Sequence, residues 1–297
     1  MVPLMFRGSI VALVTPMSEA GAVDFDAYES LLDWHLQQGT DGIVIVGTTG
    51  EGPTVTPEET AQLLERAVRR LGGRIPVIAG TGTASTQVTI ERTRAACEAG
   101  VDAVLVVTPY YNKPSQEGLF RHYSAVGDAS SVPVILYNVP SRTAVDLLPD
   151  TVARLAQHPQ IVAVKEATGR IERAREILAR CGDDFLLFSG DDATAREWML
   201  AGAHGVISVT ANVVPRAMHD LCAAALDGDI ARAAAIDAGI AALHRDLFLE
   251  ANPIPVKWAL ARMGRMSAGL RLPLTPLASE YHAAVAAALA AAGVALS

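Results

Sequence analysis

Eight short apolar runs, rich in Val, Ile and Leu, recur along the chain at residues 10–15, 42–46, 76–79, 103–107, 134–137, 161–165, 185–188 and 205–208. Each run is continuous in apolar residues rather than alternating, the pattern of strands buried on both faces. Between them lie amphipathic stretches of helical period at 26–38, 58–71, 86–99, 118–126, 149–157 and 171–180. Pro57 and Pro149 stand at the first turns of two of these, where the missing N–H costs nothing. Strand–helix alternation repeated eight times predicts a (β/α)8 TIM barrel. An open doubly wound sheet is the rival, but the chain lacks a Gly-rich nucleotide fingerprint. Further helical stretches at 213–227, 230–249, 255–263 and 281–292 exceed what closure needs. The expected architecture is therefore a barrel over residues 1–228 with a C-terminal helical extension over 229–297.

Composition narrows the possible partners. At 297 residues and 51% hydrophobic, the chain has enough apolar material for one large core, and a net charge of −8 without a basic cluster argues against nucleic acid and anionic membrane. Cys97, Cys181 and Cys222 form no C-x-x-C pair, which suits reduced thiols and a cytoplasmic setting. The segment before the first strand, Met1 to Arg7, reads as too short for a secretory signal. The Ala-rich stretch 283–292 reads as a helix too short to span a membrane.

The chemistry gathers at strand ends. Only three lysines occur, Lys113, Lys165 and Lys257, among 24 basic residues. Lys165 ends the apolar run Ile161-Val162-Ala163-Val164, and a desolvated amine there is a candidate Schiff-base nucleophile. A lysine in that place can also snorkel to solvent or pair with the adjacent Glu166. After the second run comes Gly47-Thr48-Thr49-Gly50-Glu51, a small-residue turn with hydroxyls and backbone N–H groups suited to a carboxylate, or an ordinary βα turn. Of six tyrosines, Tyr110, Tyr111 and Tyr137 fall at the ends of the fourth and fifth runs, as proton carriers or as plugs of the barrel mouth. Arg142 follows in a loop where its planar fork can hold a carboxylate or make a surface ion pair. In Ser189-Gly190-Asp191-Asp192, Asp192 is expected to cap the next helix and Gly190 to line a pocket. No metal-ligand spacing, G-x-S-x-G elbow or phosphate loop appears. Covalent catalysis by Lys165 without metal or cofactor is the chemistry that remains.

Taken in order, Gly47-Thr48-Thr49-Gly50-Glu51, Thr108-Pro109-Tyr110-Tyr111-Asn112, Tyr137-Asn138-Val139-Pro140-Ser141-Arg142-Thr143, Val164-Lys165-Glu166-Ala167-Thr168-Gly169 and Ser189-Gly190-Asp191-Asp192 resemble the dihydrodipicolinate synthases. These belong to the pyruvate-dependent lysine aldolases that also include N-acetylneuraminate lyase. The likeness extends from Gly8-Ser9-Ile10-Val11-Ala12 to Asn252-Pro253-Ile254-Pro255-Val256-Lys257. It implies condensation of pyruvate with L-aspartate 4-semialdehyde through a Schiff base on Lys165, giving 4-hydroxy-tetrahydrodipicolinate on the route to diaminopimelate and lysine. It further implies a proton relay of Thr49, Tyr137 and Tyr111, with Tyr111 entering a neighbouring subunit's site in a homotetramer built from two dimers. Thr48 and Thr49 would hold the pyruvate carboxylate, Arg142 the second substrate's, and Gly190 and Ile207 would contact substrate. A 2-keto-3-deoxygluconate aldolase or N-acetylneuraminate lyase is the alternative within the group, and sialate lyases usually carry Ser-Thr where Thr48-Thr49 stands. A non-catalytic binding barrel is the alternative outside it.

Two departures stand out. Ala144 replaces a glycine usual after the Arg-Thr pair. Pro57, Thr60, Ala84 and Val88 occupy positions where lysine-inhibited relatives place histidines, an asparagine and a glutamate. Feedback by free lysine is therefore expected to be weak or absent.

Overall fold

The eight runs pair in chain order, all parallel, and the last closes onto the first. In a computed structural model, which describes residues 6–296, the strands are β1 (Gly8–Ala12), β2 (Gly42–Ile45), β3 (Val77–Gly80), β4 (Ala103–Val107), β5 (Val134–Asn138), β6 (Ile161–Glu166), β7 (Leu186–Ser189) and β8 (Gly205–Ser208). The helices are α1 (Phe25–Gln38), α2 (Pro57–Leu71), α3 (Thr86–Glu98), α4 (Gln116–Ala129), α5 (Pro140–Thr143), α6 (Pro149–Leu155), α7 (Ile171–Cys181), α8 (Ala195–Leu200), α9 (Pro215–Leu226), α10 (Ile230–Asp246), α11 (Ile254–Arg262) and α12 (Ser279–Ala291). Of the segment read as too short for a signal, residues 1–5 lie outside the described residues.

The first strand departs from the expected 10–15. It starts at Gly8, which pairs with Gly205 where β1 meets β8, and it ends at Ala12. Beyond Ala12 the side chain of Asn212 replaces a neighbouring strand: its amide donates to Ala12 O at 2.8 Å and its carbonyl accepts from Val14 N at 3.1 Å. The missed helices α5 and α8 have four and six residues, too few to show a 3.6-residue period. Local chemistry explains α2 well. Thr56 and Glu59 form a reciprocal capping box, and Pro57 opens the first turn.

Alternation along each strand divides the core in two. Ile10, Val44, Ile78, Leu105, Ile135, Tyr137, Phe188 and Ile207 fill the barrel interior. Their neighbours Val11, Ile43, Val77, Val104, Leu136, Val164, Leu187 and Val206 pack outward under the helices. That outer layer continues without a break into Leu243, Val256, Leu260, Val285 and Leu289 of the extension. The boundary expected at 228/229 falls in the turn between α9 and α10, with Gly228 at φ +78. Among the described residues no helix is long and apolar enough to cross a membrane.

Candidate active site

A bulge decides which way Lys165 points. Val134 pairs with Ile161, but Ile135 pairs with Ala163, so β6 carries one extra residue at Val162. Both Val162 and Ala163 therefore lie on the inner face, Val164 turns outward, and Lys165 turns in. Without the extra residue every later side chain of β6 would occupy the opposite face. Lys165 is in register with Tyr137 on one side and Phe188 on the other. Its Nζ lies 4.3 Å from the Tyr137 ring centroid, and the residue is 5% exposed.

Glu166, next in sequence, is not its partner. On the outer face it accepts from Asn138 Nδ2 and from Thr168 N, each at 2.8 Å, and burial pushes its carboxyl above the usual range. Among the described residues Lys165 forms no ion pair. Gly190 gives it room: a Cβ there would meet Ala167 Cβ at 2.7 Å and Lys165 Cε at 3.0 Å. The Tyr137 carbonyl is fixed from the other side, accepting from Thr108 N and Oγ1, each at 2.9 Å.

The turn after β2 is tight and strained. Val46 and Glu51 take φ of 51 and 54, and a β-branched residue in that region is a true outlier. Thr48 is half-buried, whereas Thr49 is buried, with its Oγ1 accepting from Asn252 Nδ2 at 3.0 Å. Glu51 is wholly buried and pairs with Lys257, which is also wholly buried, and its second oxygen accepts from Arg271 N at 3.1 Å. Burial draws the Lys257 amine below the ordinary lysine value, against the pull of Glu51.

These elements enclose a cavity of about 230 Å³ bordered by Thr48, Thr49, Tyr137, Arg142, Lys165, Gly190, Phe248 and Asn252. A second hollow of about 240 Å³ shares Thr48, Tyr137 and Arg142 with it and reaches Tyr110. Six of the eight residues expected at the site are thus brought together. Ile207 is 1% exposed in the barrel interior and does not border the cavity. Tyr111 does not border it either: it is 91% exposed, with its backbone at φ +72.

Arg142 is carried by α5, and its Nη2 donates to Asn252 O at 3.4 Å. Ala144 ends that turn at φ 57, a left-handed conformation that costs alanine about 1 kcal/mol more than glycine. The expected cap is corrected. Asp191, not Asp192, accepts from Thr194 N at 3.2 Å, while Asp192 Oδ2 accepts from Val209 N and Thr210 N at 2.9 and 3.0 Å. Asp192 is 2% exposed and ties β7 to β8, so neighbouring backbone donors claim it before its own helix does.

Sequence reasoning missed Asn252, Phe248 and the Glu51–Lys257 pair. Asn252 and Lys257 lie in the quoted stretch Asn252-Pro253-Ile254-Pro255-Val256-Lys257, and a charged residue inside so apolar a segment was the available signal for the pair.

The model of the dihydrodipicolinate synthetase family matches residues 5–292. The chain is 58% identical over 293 residues to the 4-hydroxy-tetrahydrodipicolinate synthase of Thioalkalivibrio sulfidiphilus, covering 99% of this chain and 100% of that one. It is 57% identical over 290 residues to the enzyme of the same name from an Azoarcus species, covering 98% and 99%. Among solved structures, the chloride-inhibited dihydrodipicolinate synthase of Acinetobacter baumannii complexed with pyruvate superposes with a TM-score of 0.96 at 52% identity, covering 97% of this chain and 99% of that one.

Proposed function

The chain belongs to the dihydrodipicolinate synthetase family, and from that premise we propose that it condenses pyruvate with L-aspartate 4-semialdehyde to give 4-hydroxy-tetrahydrodipicolinate. One observation carries the site assignment. Lys165 is a buried lysine that faces a cavity, in register with Tyr137, and among the described residues no carboxylate pairs with its amine.

Lys165 Nζ attacks the pyruvate ketone, and the carbinolamine loses water to form the imine. A proton leaves the methyl carbon to give the enamine, whose carbon attacks the aldehyde of the second substrate. The aldehyde oxygen takes up a proton. The second substrate's amino group then attacks the imine carbon, closing the ring and freeing Nζ. Tyr137, beside the amine, is the natural carrier for these protons.

Thr49 was expected to complete the relay with Tyr137 and Tyr111. Thr48 borders both hollows together with Tyr137, whereas Thr49 borders only the inner one, so we assign the relay hydroxyl to Thr48 in place of Thr49. Thr49 and the turn around it suit the pyruvate carboxylate. Arg142, on the same cavity, suits the carboxylate of the aldehyde. Tyr111 completes the relay from a second subunit, in a cytoplasmic homotetramer of two dimers. Its 91% exposure and the exposed Val88, Tyr110 and Leu148 support such an interface.

Supplying purified protein with pyruvate and L-aspartate 4-semialdehyde tests the reaction. Both are expected to be consumed together, with little cleavage of 2-keto-3-deoxygluconate or N-acetylneuraminate. Faster turnover of either sugar acid would overturn the assignment.

A further inference from the structure

Asn252 lies between α10 and α11, outside the barrel strands, yet it is 6% exposed and borders the catalytic cavity. Its amide donates to Thr49 Oγ1 at 3.0 Å. A hydroxyl has one proton and two lone pairs. With an N–H occupying one lone pair, Thr49 cannot give its proton back to that nitrogen, so the proton stays available to an acceptor in the cavity. The backbone carbonyl of Asn252 accepts from Arg142 Nη2 at 3.4 Å, so the same residue touches the cation of the site. Its Oδ1 is buried without a protein partner among the described residues, and such an acceptor calls for a donor from the cavity it borders.

The segment is held in register with the turn by a second tie. Glu51 follows Thr49 by two residues, Lys257 follows Asn252 by five, and the two charges form a wholly buried pair. Asn252 therefore meets Thr49 from a fixed position rather than from a loose loop.

We propose that Asn252 is a positioning residue for pyruvate: its amide orients the Thr49 hydroxyl as a donor to the substrate carboxylate. The inference rests on the reaction assigned to Lys165. Its test follows pyruvate binding through borohydride reduction of the imine, read by intact mass across a pyruvate titration. Wild type, Asn252→Ala, Thr49→Val and the double variant are compared. Each single variant is expected to raise the pyruvate concentration for half-maximal adduct about tenfold, the loss of one charge-assisted hydrogen bond. The double variant is expected to match Thr49→Val alone, because Asn252 acts through that hydroxyl. Asn252→Ala should reach the wild-type adduct yield at saturating pyruvate, a result that a misfolded site would not give. Should Asn252→Ala be insoluble, Asn252→Asp keeps the size, removes the donor, and is expected to shift the titration at least as far. An unshifted Asn252→Ala titration, or shifts that multiply in the double variant, would overturn the positioning role. No adduct on the wild-type protein would instead overturn the reaction itself, and this inference with it.

Discussion

Lys165 and Lys257 are both buried, at 5% and 0% exposure, yet they sit in opposite chemical settings. Lys165 lies at the mouth of the barrel against the face of Tyr137, with a cavity beside it. Lys257 lies behind the β2 turn, enclosed with the carboxylate of Glu51 and bordering none of the cavities described above. Burial alone therefore does not mark a catalytic lysine. What separates the two is where the amine leads, to open space a carbonyl can enter or to a counter-ion that closes the structure. The first arrangement supports chemistry, and the second fastens the C-terminal extension to the turn that carries Thr48 and Thr49.

Exchanging the fates of the two lysines is the sharpest way to break this contrast. Lys165→Ala is expected to lower condensation at least about a thousandfold while leaving the unfolding midpoint near wild type, since no carboxylate is orphaned. Rate assays and denaturant titration on one preparation check both halves. Lys257→Met should do the reverse. Removing one partner of a buried pair costs about 3–5 kcal/mol of stability, whereas the Schiff base on Lys165 should still form. The further change Glu51→Gln, by removing the stranded charge, should recover part of that loss.

Buried histidines give a contrast in pH. Burial lowers His35 to about 3 and His122 to about 4, far below the ordinary value of 6.5. Below pH 6.5 the unfolded chain takes up protons that the folded chain refuses. Their contribution to stability is therefore full above 6.5 and falls as pH drops, towards 3 for His35 and towards 4 for His122. Each should cost about 1.4 kcal/mol per pH unit over its window. Denaturant midpoints between neutral pH and pH 5 measure this, and His122→Gln should flatten the slope. Unchanged steepness in that variant would place the acid lability elsewhere.

Arg142→Ala should raise the KM for L-aspartate 4-semialdehyde about tenfold to a hundredfold, with pyruvate trapping unchanged. A change confined to pyruvate would reverse the two carboxylate assignments. The smallest effect is expected from free lysine. Pro57 and Thr60 border an apolar hollow of about 90 Å³ whose cation is Arg92, a poor setting for an ammonium group. Half-inhibition by sub-millimolar lysine would contradict that expectation.

The barrel was legible because its signals are local. Continuous apolar runs and helical periods need only neighbouring residues, and the strand ends then bring Lys165, Tyr137 and the threonines to one face. The inward turn of Lys165 was not legible, because it depends on a pairing irregularity between β5 and β6. Nor was the tie between Asn252 and Thr49, 203 residues apart, or between Lys257 and Glu51, 206 apart. Such partners are chosen by the closed fold, and no window along the chain contains both. Asp191 and Asp192 fail for a related reason. Either fits a cap by residue type, and the backbone donors of residues 209 and 210 decide between them.

The most direct test is to reduce the protein with borohydride in the presence of pyruvate and map the added mass by peptide sequencing. One reduced pyruvate per chain is expected, carried by Lys165, with Lys113 and Lys257 unmodified. An adduct on Lys257, or none on any lysine, would contradict that assignment.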